Sequence, residues 1–561
     1  MTERRCWDVV VDALESEGVR HVFGLPGNPW ALYDSLYDSG VEPVLVRHEA
    51  SGAYMAFAYS KLTRRPGVCF GSPGPGVANL VSGVLEAWSG CQPMVVLGGS
   101  AGTDTEGMGA FQEAPQMEVM RPITKWSYRV PSADRTAWAV SRAFSLSVNG
   151  KPGPVYVEVP FNVGMAKTKE TGYSKSAGPL RTRPSVEAVK AAAKLLLRAE
   201  RPVVVAGGGA FMSGAGLRLV EFAELLGVPV LTTPSGRGCI PESHPLAVGL
   251  VGLYRTRVGK RVYEEADVVL SLGSRNEEFQ TASWAYYPEG ARFIQVDIDA
   301  DELGRNWRPD VPVAGDARLF LEDLIVAVKD KAKRTPLRDM PRVKSIVEAK
   351  EVYMAEVEAE VTAEPRVKSK RVVYEACMVF GQGTVLVNEN GSQDLWSYYY
   401  PYYTVLDYDG CVAPAEQTCM GLGVAGAIGA KLAVPDRKVL CTTGDGAFQM
   451  FAKELPTSVQ YRAPVTWVVL NNFSLGWIKL HQWANRERYV AVDFEAQPDF
   501  VKLAEACGCY GERVTRVDDI RGALERGLKR NQEGIPAVLD FVVEPMDFPE
   551  GFREFQPEIF G

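Results

Sequence analysis

No second cysteine pair accompanies Cys507-Gly508-Cys509, so the ten cysteines of this 561-residue chain do not supply the paired motifs of a zinc site. The others are scattered and read as buried thiols of a reducing compartment. No apolar run approaches the roughly 18 residues that a membrane helix needs. Positive charge is not in excess: 61 Lys+Arg against 69 Asp+Glu leave a net charge of -8. That excludes a general electrostatic affinity for nucleic acid or anionic membrane, though not a local basic pocket for a phosphate. Short repeats and low-complexity tracts are also absent. What remains is a globular chain, expected to be cytoplasmic. It is 46% apolar and 10% aromatic, enough to fill several cores, and at roughly 150 residues per domain its length implies three or four domains.

Short β-rich runs alternate with helical patterns along most of the sequence, as in Val19–Gly24, 44–46, 67–70, 93–97 and Pro154–Val159 with helical spacing at 50–63, 76–89 and 135–149. This alternation predicts α/β architecture with parallel sheets covered on both faces. Three doubly wound units are expected at 1–165, 185–330 and 371–545. A polar and basic linker, 166–184, joins the first two, and a charged connector with helical stretches, 331–370, joins the last two. The second unit opens at Pro202-Val203-Val204-Val205-Ala206-Gly207; the third contains candidate strands at 383–387, 404–407, 438–443, 465–470 and 537–543. The final segment, 546–561, is rich in Phe and Pro and has no helical or strand period. Four Phe and one Ile in its last fifteen residues predict that it packs on the body of the protein or a neighbour, either as a static contact or as a lid.

Gly444-Asp445-Gly446 directly follows the strand 438–443, and Asn471-Asn472 ends the next one. In a parallel sheet the carboxyl ends of neighbouring strands lie side by side, so Asp445 and Asn472 can face one cleft. A carboxylate, an amide oxygen and a main-chain carbonyl are hard ligands suited to Mg²⁺, and the glycines let phosphates approach the backbone. Either motif alone also fits an ordinary turn. Glu49, in Arg47-His48-Glu49-Ala50, stands at the entry to a small-residue helix, where it either acts on a ring nitrogen as a proton-handling carboxylate or serves as a helix-start acid favoured by the dipole.

In one chain and in this order occur Gly24-Leu25-Pro26-Gly27, Arg47-His48-Glu49, Gly74-Pro75-Gly76-Val77-Ala78-Asn79-Leu80, Ala110-Phe111-Gln112-Glu113, Gly-Asp-Gly and Asn-Asn. With these motifs the chain resembles the thiamine-diphosphate enzymes of the acetolactate synthase and 2-hydroxyacyl-CoA lyase group over about residues 4–545. The resemblance implies a pyrimidine-binding domain, a central nucleotide-binding domain and a diphosphate- and Mg²⁺-binding domain, in homodimers or homotetramers whose active sites lie between subunits. It assigns Glu49 to N1′ of the aminopyrimidine and Asp445, Asn472 and Ser474 to the metal. Pro26, Gly27, Asn79, Thr418, Met420, Gly444, Gly446, Ala447, Leu475 and Gly476 join Glu49, Asp445 and Asn472 around the cofactor. Within Gln417–Gly421, Met420 is either the wedge beneath the bent cofactor or a core methionine. Phe111 and Gln112 line the reacting carbon, with Gln112 placed to hydrogen-bond a substrate hydroxyl.

Within the group, Gly98-Gly99-Ser100 and Met108–Gln116 look like the lyases, while Asn471–Lys479 looks like the synthases. Phe279 stands where the synthases carry an Arg that receives the second 2-keto acid, and His481 where they carry a Trp. These departures favour a lyase that splits a 2-hydroxyacyl-CoA into formyl-CoA and an aldehyde or ketone. The alternative is acetolactate synthase or a related 2-keto-acid carboligase; a catalytically silent cofactor-binding subunit is a minor one. The lyase reading puts ADP or the adenine end of CoA in the central domain, near Arg275, Asp297 and Asp316, and the synthase reading puts FAD there; each of these three residues also fits an ordinary turn. The aromatic run Trp396–Tyr403 is a pocket wall or an interface.

Overall fold

The computed structural model describes residues 4–28, 30–168, 173–331 and 335–555, except the side chain of 555. It contains three six-stranded parallel sheets and a two-stranded antiparallel pair, Arg4–Arg5 with Lys167–Thr168. The chain divides into two compact units. One comprises Met1–Leu180, Gln417–Pro435 and Phe451–Ala463; the other comprises Arg181–Glu416, Asp436–Met450 and Pro464–Gly561.

The sheet of the first unit runs, in spatial order, Glu42–Leu45, His21–Gly24, Gly67–Gly71, Met94–Ser100, Pro154–Pro160 and Ser127–Arg129. All pairs are parallel. Three of its inner strands, Gly67–Gly71, Met94–Ser100 and Pro154–Pro160, are buried along their whole length, which is why they read as mainly apolar runs. The helix Glu49–Thr63 is buried on every side except at Tyr59 and Thr63. Its small residues admit a second helix, Leu422–Ala433, whose Gly429 faces the main chain of Met55 so closely that a Cβ there would collide.

The second unit holds two sheets. The central one runs Ala247–Leu250, Val230–Thr232, Pro202–Ala206, Val268–Leu272, Arg292–Asp297 and Val311–Ala314. The other runs Cys411–Val412, Thr384–Asn388, Lys438–Gly444, Thr466–Asn471, Ala537–Val542 and Tyr510–Val514. The α/β class with three doubly wound parallel sheets is therefore the observed architecture.

Several local expectations need correction. Thr404–Asp407 has a strand's composition but is not one, because the buried Glu242 takes its main chain: Val405 N donates to Glu242 Oε2 at 2.6 Å, and Glu242 N donates to Val405 O at 2.8 Å. Glu242 is itself held by the wholly buried Arg237, whose guanidinium also donates to the carbonyls of Ser397 and Tyr403. The aromatic run is core: Trp396, Tyr398, Tyr399, Tyr400, Tyr402 and Tyr403 are each at most 7% exposed. The connector contains one long helix, Pro341–Ala363, pinned by Lys350, whose ammonium donates to the carbonyls of Glu242, His244 and Ala247. The terminal segment has a helix after all, Glu550–Phe555; Phe552 within it and Phe548 just before it are buried. Phe552 packs on Trp477 (4.8 Å between ring centroids), and Glu554 accepts from Arg255 and Lys260. Residues 556–561 lie outside the described residues.

Candidate active site

In the first unit three adjacent strands end level, with Gly24 opposite both Leu45 and Phe70. The order of connection reverses between His21–Gly24 and Gly67–Gly71, and such a switch point opens a crevice at the carboxyl edge. Glu49 is delivered to this edge as the first residue of its helix, 4% exposed, behind His48, whose Nδ1 accepts from Ala50 N. Asn79 Nδ2 donates to Glu49 Oε2 at 2.9 Å. Gly76 lies against the same carboxylate: a Cβ there would stand 2.5 Å from Ser72 Oγ and 3.3 Å from Glu49 Oε1. A Cβ on Gly27 would stand 2.9 Å from Ser72 Cβ, and Gln112, at φ 59°, brings its carbonyl 2.9 Å from a Cβ on Gly74. The structure thus gathers Gly27, Glu49, Asn79 and Gln112 around Ser72–Gly76. Pro26 is exposed on the adjoining turn, and Phe111 is 78% exposed.

The segment before Arg47 is anchored by Glu454, which accepts from Arg47 N at 2.9 Å and whose carboxyl is pushed up by burial. Thr418 adopts φ 47°, a left-handed conformation that costs a β-branched residue about 1–3 kcal/mol and persists only where its surroundings impose it. Met420 is half-buried, and Gly421, at φ 95°, admits no side chain because Phe451 lies against it.

In the second unit, Gly444 pairs with Leu470, so Asp445 and Asn471-Asn472 leave neighbouring strand ends together. Asp445 is 1% exposed, and burial pushes its carboxyl up to about 7 against the opposing pull of Gln497, whose Nε2 donates at 2.7 Å. Asn472 Oδ1 caps the turn by accepting from Ser474 N, while Asn472 Nδ2 and Ser474 Oγ are buried without a hydrogen-bond partner. A Cβ on Gly446 would stand 2.8 Å from Leu475, and one on Gly476 would stand 2.8 Å from Asn472 Nδ2 and collide with Ser392 Oγ. Ala447 is buried behind them, whereas Gly444 faces open space. Among the described residues no cluster of three or more His, Cys, Asp or Glu could hold a metal. A single buried carboxylate with amide, hydroxyl and main-chain oxygens fits Mg²⁺ held jointly with phosphate oxygens, and a cation there would also restore the ionised Asp445.

Arg275 and Asp316 follow, and Asp297 ends, three adjacent strands of the central sheet, but only Arg275 stands at its switch point, between Pro202–Ala206 and Val268–Leu272. There Gly209 N donates to Gly273 O at 2.9 Å, and a Cβ on Gly209 would meet Gly273 at 3.0 Å. Arg275 pairs with Glu277 at 2.6 Å; Asp297 accepts from Asp299 N; Asp316 caps the helix Ala317–Val328 and pairs with Arg181.

Sequence reasoning missed Ser72, Ser392 and Gln497, and gave no role to Asn471, which donates to Asp540 and Gln497. Close spacing offered no signal, since Gln497 is 52 positions from Asp445. A serine after the strand Gly67–Gly71 was the one available clue.

Comparison with known proteins gives matches to the families described as "Thiamine pyrophosphate enzyme, N-terminal TPP binding domain" over residues 4–119, "central domain" over 189–324 and "C-terminal TPP binding domain" over 390–541. The chain is 34% identical to a probable acetolactate synthase large subunit of Methanocaldococcus jannaschii, over 96% of this chain and 92% of that one. It is 30% identical to the acetolactate synthase isozyme 3 large subunit of Escherichia coli K12 (96% and 94%) and 32% identical to an acetolactate synthase of Mycobacterium bovis (95% and 87%). These near-full-length similarities overturn the ranking that put 2-hydroxyacyl-CoA cleavage to formyl-CoA first. Phe279 and His481 are local departures, two positions within a similarity that spans nearly the whole chain.

Proposed function

We propose that this chain, which belongs to the thiamine pyrophosphate enzyme family and is a thiamine-diphosphate-dependent enzyme, is a 2-keto-acid carboligase of the acetolactate synthase type. The observation that carries the reading is the similarity to acetolactate synthase large subunits from end to end, not over one domain.

When bound, the cofactor would supply an acidic carbon and an electron sink for a 2-keto acid. The chain supplies the rest. Glu49 holds a proton at the pyrimidine nitrogen, and Asn79 fixes which carboxylate oxygen is left to do so. Asp445, Asn472 and Ser474 would hold Mg²⁺ and through it the diphosphate, while Gly444 leaves room for phosphate oxygens. Met420 would stand beneath the cofactor, and Phe111 and Gln112 would border the substrate. We place FAD, in preference to ADP or CoA, at the central switch point beside Arg275. Two copies assemble each site, and the exposed Met108 and Phe111 are apolar surface for a neighbour to cover.

The test is the purified protein with thiamine diphosphate and Mg²⁺, offered pyruvate and, separately, a 2-hydroxyacyl-CoA. Acetolactate formation is expected, and flavin absorbance should accompany the protein. Cofactor binding without consumption of any 2-keto acid would overturn the reading.

A further inference from the structure

Asp540 is wholly buried in the strand Ala537–Val542, whose other residues are apolar. It stands opposite Arg513 of the strand Tyr510–Val514, and Arg513 Nε donates to Asp540 Oδ2 at 2.8 Å. Replacing a buried ion pair by well-packed apolar residues is often neutral or stabilising, so such a pair is better explained by what it orients. On its other side Asp540 Oδ1 accepts from Asn471 Nδ2 at 2.9 Å. The same Nδ2 donates at 3.0 Å to Gln497 Oε1, and Gln497 Nε2 donates at 2.7 Å to Asp445 Oδ2. Asn471 Oδ1 accepts at 3.2 Å from the main-chain N of Phe473, a residue at φ 55°.

The sense of every bond in this series follows from its first member. A carboxylate paired with a guanidinium only accepts, so the group of Asn471 that meets it must be the amide NH₂. That NH₂ in turn requires the oxygen of Gln497, which leaves the Gln497 NH₂ as the end that reaches Asp445. Turned the other way, Gln497 would set its oxygen against a carboxylate and its NH₂ against another NH₂.

We infer that Asp540 is a positioning residue: acting through Asn471 and Gln497, it fixes the rotation of the Asp445 carboxylate and, through Phe473 N, the turn that carries Asn472 and Ser474. The inference rests on reading Asp445, Asn472 and Ser474 as the Mg²⁺ ligands. All of these residues belong to one chain and to its second compact unit, so the relation holds whichever copy completes the site.

The experiment uses full-length wild type, Asp540→Asn, Gln497→Ala and the double variant. Three quantities are read: the dissociation constant of Mg²⁺ at saturating thiamine diphosphate, Tm, and amide hydrogen exchange of peptides covering 471–476 without cofactor. Asparagine keeps the size of Asp540 but can present an NH₂, so the sense of the amides is no longer imposed. Each single change should weaken Mg²⁺ about tenfold, as loss of an outer hydrogen bond to a metal ligand does, and Asp540→Asn should also speed exchange at 471–476. The double variant should again be weakened only about tenfold, since both changes cut one series of bonds. A double variant weakened about a hundredfold would mean two independent effects, with Asp540 acting by its charge alone, and would overturn the inference. A lowered Tm with unaltered Mg²⁺ affinity would show a packing role only and overturn it too. If Asp540→Asn does not fold, Asp540→Ser, too short to reach Asn471, takes its place; failure of both to fold assigns Asp540 to the fold and also overturns the inference. Wild type without Mg²⁺-dependent thiamine diphosphate binding overturns the metal site and the inference together. Normal Mg²⁺ binding without consumption of a 2-keto acid overturns the proposed reaction alone.

Discussion

The first and third sheets share one strand order. Numbered along the chain within each sheet, both read 2-1-3-4-6-5, whereas the central sheet reads 3-2-1-4-5-6. Both like sheets send a small-residue helix from strand 2, Glu49–Thr63 in one and Leu422–Ala433 in the other, and these two helices pack together with Gly429 against Met55. Their chemistry nonetheless differs. The first edge presents a buried acid steadied by an amide, suited to moving a proton; the third presents a buried acid beside unpartnered amide and hydroxyl groups, suited to holding a cation. Topology decides where a crevice opens, and the few residues after each strand decide what it does there.

Glu49→Gln should separate the two edges most sharply, lowering kcat at least about a hundredfold while thiamine diphosphate and Mg²⁺ affinities, measured by titration, stay close to wild type. The helix crossing that both sheets share should be intolerant: Gly429→Ala is expected to cost about 1–3 kcal/mol by overpacking, read as a lowered Tm, with retained stability counting against the close approach. Gln497→Ala is the converse of the first change. It should weaken Mg²⁺ about tenfold, as loss of a supporting hydrogen bond to a ligand does, yet leave kcat at saturating metal nearly intact. The smallest effect concerns Glu416, on the third-sheet segment that corresponds to the one bearing Glu49. Burial raises its carboxyl from 4.5 to about 7, so its contribution to stability is fully present below 4.5 and is lost as pH rises through 7. Denaturation of wild type and Glu416→Gln at pH 5 and pH 8 should show wild type losing ground to the variant at the higher pH.

Strands buried on both faces, such as Pro154–Pro160 and Pro202–Ala206, were legible because burial demands mostly apolar side chains. The edge strands Ser127–Arg129 and Tyr510–Val514 were not, since one side faces solvent and polar residues break the run. Thr404–Asp407 misled because propensity cannot foresee that Glu242 takes its hydrogen bonds. Site residues that directly follow a strand, Asp445 and Asn472 above all, could be located from the alternation alone. Asp540 could not: it meets Asn471 across 69 positions, and within its own strand nothing distinguishes it from a solvent-facing acid.

The first compact unit is not a continuous stretch of sequence: Gln417–Pro435 and Phe451–Ala463 belong to it although more than 230 residues separate them from Leu180. During synthesis, therefore, the amino-terminal 180 residues cannot complete their core until residue 463 has left the ribosome. Until then the side of Glu49–Thr63 that later receives Leu422–Ala433 stays uncovered, a sticky surface at an early stage. A gene fragment ending at 180 should accordingly yield aggregates rather than a soluble domain, and supplying 417–463 on a second chain is the natural rescue.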